Sequence, residues 1–159
     1  MQQQPQSTQL PLPHSVCDRL VDELRLAIPA EVPEVQPDQI RFALDMSGEL
    51  RDSAGITVSC GLSGPHDGAH DVLSDVALSV SCWTHLDTDD TGVLLGIVTM
   101  GVLDLLQVAD MAPPGWRMTC QPGPVAMSEV STDGSYRVRQ ITATVYLQRL
   151  DDTTPEEED

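Results

Sequence analysis

The chain has few aromatic residues, 3% of its 159 positions. That argues against functions built on ring stacking, such as a nucleobase platform or a carbohydrate cleft, and leaves the core to Val, Leu, Ile, Met and Ala. Lysine is absent, and eight arginines face 25 acidic residues for a net charge of −17. So small a supply of cations cannot line a long phosphate track, which argues against direct gripping of nucleic acid.

Other signatures are missing too. Cys17, Cys60, Cys82 and Cys120 form no CxxC pair, and the opening MQQQPQSTQL has neither the basic nor the apolar stretch of a secretory signal. The expectation is four reduced, mostly buried thiols in a cytosolic product. No GxGxxG follows a strand, no Gly-rich loop ends in Lys and Ser or Thr, and no serine sits in a GxSxG elbow. No cofactor is expected.

What is present suits a single domain. Residues 1–13, MQQQPQSTQLPLP, read as a flexible Gln- and Pro-rich arm, 14–150 as an α+β domain, and 151–159, DDTTPEEED, as an acidic disordered tail. In SVCDRLVDELRLAI, Cys17, Leu20, Val21, Leu24 and Ile28 recur at helical spacing, with Ser15 as N-cap and Pro29 as the stop. QIRFALDM, ITVSCGL and DVALSVSCW alternate apolar and polar residues as strands with one wet face do.

TGVLLGIVTMGVLDLLQVA, by contrast, is apolar around its whole circumference, with Thr88 or Asp89 as its cap, and predicts a helix covered on most sides. Asp104 within it and the lack of flanking Arg argue against a membrane span. WRMTC, a turn at QPGP, VAMSEV, a hairpin at Asp133-Gly134 and the long strand YRVRQITATVYLQRL complete the order. The predicted fold is α+β: an antiparallel sheet, mixed pairing possible, of about five strands, with two main helices packed mainly on one face.

GPHDGAHD, residues 64–71, carries the one metal-like pattern. HDGAH resembles the zincin HExxH, in which two His one helical turn apart share a metal and a carboxylate activates water. Gly64, Pro65 and Gly68 break any helix there, and Asp67 is a methylene shorter than Glu, so His66 and His70 read as part of a polar connection between strands. A metal-dependent hydrolase using this pair is the alternative from the enzyme class. Trp83 and Trp116 flank the apolar helix and read first as core or rim packing, second as interface anchors. The candidate contact residues are His66, Asp67, His70, Asp71, Trp83, Asp87, Asp89 and Asp90.

DVALSVSCWTHLDTDDTGVLLGIVTMGVLDLL, a strand ending in an aromatic residue, then an acidic loop and a long apolar helix, is followed at the end of the chain by YRVRQITATVYL. Together with the opening CDRLVDELRLAIP, this order resembles the tail terminator (tail completion) proteins of long-tailed bacteriophages over roughly residues 15–150. The likeness lies in order and pattern; it includes no catalytic signature.

The resemblance implies a non-enzymatic virion subunit that forms a homo-oligomeric ring, usually a hexamer, on the last ring of the major tail tube protein. That ring ends polymerisation and joins the head-to-tail connector at the tail–neck junction, after assembly in the host cytoplasm. DNA would pass through its lumen without specific binding, and no membrane partner is implied. Another neck protein, such as a head-to-tail connector, is the nearest alternative.

Overall fold

The computed structural model describes residues 12–42, 54–65, 73–131 and 134–150. The elements run α1 (Leu12–Glu31), a short 3-10 turn (Pro37–Gln39), β1 (Ile40–Phe42), β2 (Ala54–Pro65), β3 (Leu73–His85), α2 (Val93–Val108), β4 (Trp116–Val125), β5 (Glu129–Val130) and β6 (Tyr136–Arg149). They form an α+β fold with one six-stranded sheet, ordered β1-β2-β3-β6-β4, with β5 also pairing to β6. All pairings are antiparallel except β1 with β2, which is parallel. The sheet is therefore mixed and has six strands rather than about five, the two-residue β5 within VAMSEV being the additional one.

Strand alternation sets the two faces. Ile56, Val58, Val76, Leu78, Val80, Cys82, Ile141, Val145 and Leu147 share one face and form a single buried cluster with Leu20, Leu24 and Ile28 of α1 and Leu95, Val98, Val102 and Leu106 of α2. Both helices pack on this face. Ser59, Ala77, Gln140 and Thr142 alternate with these residues on the opposite, exposed face.

Three boundaries differ from the sequence reading. Pro29 does not stop α1, which continues to Glu31. A proline forgoes the bond its nitrogen would have donated to Arg25 O and crowds that carbonyl, but in the last turn few residues remain to be displaced. Val32 N still donates to Ile28 O at 2.7 Å, and Val32 and Val35 are buried beyond it. Nor does the helix wait for Ser15: it begins at Leu12, with Pro13 in the first turn, where no N–H partner is needed.

QPGP is not a turn but part of β4, which carries a register shift between Pro122 and Val125. Proline is tolerated there because β4 is an edge strand, and a Cβ on Gly123 would stand 2.8 Å from Thr142 Oγ1. The first strand, expected across QIRFALDM, is described over Ile40–Phe42, and the rest of that stretch lies outside the described residues. At the β5–β6 connection, Gly134 has φ +77, the left-handed conformation that the hairpin reading asks of it.

Candidate functional site

The most structured polar site lies where β3 runs into α2. The backbone N-cap of α2 is Gly92, with φ +84 and no side chain to cap with. Asp89 supplies the capping group instead. Its Oδ1 accepts from Leu94 N at 3.0 Å, and its Oδ2 accepts from Leu95 N and from Thr84 Oγ1, both at 2.9 Å. Asp89 is only 4% exposed.

Burial alone would raise the pKa of this carboxyl. The bonds from the Leu95 and Leu94 N–H groups, the Thr84 hydroxyl and the Gly92 N–H outweigh burial and hold it below the usual carboxylate range. The same loop is tied to the sheet by Arg137, whose guanidinium donates to Asp90 O at 3.0 Å. Asp89, a contact candidate from sequence, is thus turned inward as a cap, whereas Asp87 and Asp90 are exposed.

On the outer face at the same end, Trp83 lies over Gly55, its register partner, and is 3% exposed. A Cβ on Gly55 would fall 2.2 Å from the indole, so the ring requires a glycine there. Tyr136 meets Trp83 edge-on at 5.5 Å and His85 at 5.0 Å. His85 Nδ1 accepts from Asp87 N at 3.1 Å. Trp83 is therefore packed into the subunit, which matches the first of its two sequence readings. His66, Asp67, His70 and Asp71 lie outside the described residues, between the paired ends Pro65 and Ser74.

Among the described residues, no three His, Cys, Asp or Glu side chains converge to hold a metal ion. All four cysteines are free thiols, Cys17 and Cys82 buried, Cys60 and Cys120 partly so. Burial raises the pKa of Cys17, where the neighbouring Cys60 thiol adds to the effect; it pushes Cys82 up to about 12 and raises Cys120. Because the thiolate is the reacting form, maleimide labelling of Cys17, Cys82 and Cys120 at neutral pH is expected to run at least about tenfold slower in the folded chain than in the urea-unfolded one. Mass spectrometry of timed digests checks this; equal rates would contradict it.

The remaining features are surfaces. α2 buries Leu95, Val98, Thr99, Val102 and Leu106. At 100° per residue, Val93, Ile97, Met100, Asp104 and Val108 fall within one 80° sector on its other side, all exposed. The sequence predicts cover on most sides of this helix; among the described residues that sector has none. Gly101 makes the close helix approach, since a Cβ there would lie 3.2 Å from Ile28 Cδ1 of α1, while Gly96 faces open space. No helix among the described residues is long and apolar enough to cross a membrane.

Beneath the edge strand, a groove of about 570 Å³ is lined by Leu106, Val108, Trp116, Met118 and Leu150, with Arg117 and Asp110 also lining it. A smaller depression of about 210 Å³ between Asp75, Arg117 and Tyr146 lies beside it. Sequence reasoning missed this groove because it depends on β4 being the edge strand.

No protein-family model matches the chain, and no curated protein matches it.

Proposed function

We propose that this protein is a structural assembly subunit of a long-tailed bacteriophage, acting as the tail terminator. In this reading it forms a ring, of six by the family resemblance, on the tail tube, stops tube growth and presents the joint to the head connector at the tail–neck junction. The observation that carries the assembly part is the uncovered apolar sector of α2, in a subunit whose core is already closed between the helices and one face of the sheet. Val93, Ile97, Met100 and Val108, exposed around the single charge of Asp104, make an apolar surface of the kind that marks interaction sites.

The tail-specific part rests on the order of elements in DVALSVSCWTHLDTDDTGVLLGIVTMGVLDLL and YRVRQITATVYL. The charge of −17 is compatible with a lumen through which DNA moves without sticking.

Electron microscopy of tail tubes mixed with the purified protein tests the reading. The expected result is a ring on one end of each tube and a tube population that no longer elongates. Tubes that continue to grow with bare ends would contradict it. Binding to isolated head connectors but not to tubes would favour the alternative neck protein.

A further inference from the structure

The two lateral edges of the subunit expose charged groups of opposite sign, Asp18 and Asp22 at one and Arg117 and Arg149 at the other. α1 covers β1 and β2, so it sits at one edge of the sheet, and β4 with β6 forms the other. Residues 12–42 hold six acids against three arginines. At the other edge the exposed cations are Arg117 and Arg149, with Asp110 and Asp75 near Arg117.

The free groups lie where a neighbour could reach them. On α1, Asp18, Asp22 and Arg25 fall within one 60° sector. Arg25 Nε donates to Ile40 O at 2.9 Å, which places that sector on the β1 side of the helix. Glu34 and Asp38 continue the acidic edge and are exposed. At the opposite edge Arg117 and Arg149 are exposed. Among the described residues none of Asp18, Asp22, Arg117 and Arg149 forms an ion pair.

Each edge also carries a matching apolar feature. Leu26, one turn after Asp22, is 75% exposed on α1. The 570 Å³ groove lies beside Arg117, walled by Val108, Trp116 and Leu150. The outer side of Trp116–Gln121 pairs with no strand among the described residues and precedes the Pro122–Val125 bulge, so Arg117 is the one charged side chain on an otherwise open half of the edge.

We infer that copies of this chain associate head to tail, the Asp18/Asp22/Leu26 edge of one docking on the Arg117/Arg149 groove edge of the next. The two patches differ, so the contact is heterologous, and such contacts generate rings when the rotation closes. The inference rests on the assembly reading above and names the surfaces that would build the ring.

The test uses the full chain and sedimentation velocity up to sub-millimolar concentration. Wild type is expected to self-associate, several-fold more weakly at about 500 mM than at about 50 mM NaCl. The pair Arg117→Glu/Arg149→Glu, and separately Asp18→Arg/Asp22→Arg, should each weaken self-association at least about tenfold. Mixing the two variants should restore it, a result that loss of folding could not produce. Leu26→Ala should weaken association with its salt dependence retained.

Wild type that associates regardless of these reversals overturns the inference and leaves the assembly reading standing, since that reading is judged separately on tail tubes. A full chain that stays monomeric, while one ending at Leu150 associates, assigns the basic edge to the acidic tail and also overturns the inference. So does a wild type that is monomeric in either form.

Discussion

Gly55→Ala is expected to lose roughly 3 kcal/mol of stability, at the upper end of what overpacking costs. The new methyl would stand 2.2 Å from Trp83 Cζ2, and the next two ring atoms are both at 2.7 Å. The indole cannot yield cheaply. It is 3% exposed, it lies against Tyr136 at 5.5 Å, and its Nε1 is buried without a hydrogen-bond partner among the described residues. Either Trp83 leaves its site, opening a cavity and exposing apolar surface, or β2 moves away from β3. In both cases the urea midpoint falls and indole emission shifts to the red. An unchanged midpoint with native emission would show that Trp83 does not rest on Gly55.

Asp89→Ala is expected to cost about 2 to 3 kcal/mol, measured by urea unfolding. The substitution strands the N–H groups of Leu94 and Leu95 and the Thr84 hydroxyl in a site that water barely reaches. The effect carries a pH signature. The folded pKa of Asp89 lies below its unfolded value, so its contribution is present above the unfolded carboxylate pKa of about 3.9 and is lost as pH falls through the folded value. The stability gap between wild type and Asp89→Asn should therefore be flat from neutral pH to about pH 5 and narrow below about pH 4. A gap that persists undiminished down to about pH 2 would show that the charge of Asp89 is not what holds the loop.

Asp89 also shows where sequence reasoning reached and where it stopped. Its position before an apolar helix marks it as a cap, because a carboxylate there meets unpaired N–H groups whatever the tertiary fold. That a cap this well satisfied is turned inward, and so removed from the contact surface, depends on Thr84 at the end of β3. Only the fold brings those two groups together at 2.9 Å.

Strand periodicity likewise located β2, β3 and β6, since alternation is a local property. The register that sets Gly55 opposite Trp83 is not local, and neither is the edge position that lets Pro122 and Pro124 stay inside β4. The polarity of the two edges was hidden for a similar reason. The chain totals read uniformly acidic, and Arg117 and Arg149 come to the same exposed edge only when β4 pairs with β6. Ile97 and Met100 are the converse case: their apolar character is plain in sequence, but that α1 and the sheet leave them bare is visible only once the helix is packed.

Tail length and head attachment in a phage from which this gene has been deleted test the tail-terminator role. The expected result is overlong or irregular tail tubes, separate filled heads, and restoration of both phenotypes by the wild-type gene supplied in trans. Tails of normal length joined to heads in the deletion strain would contradict it.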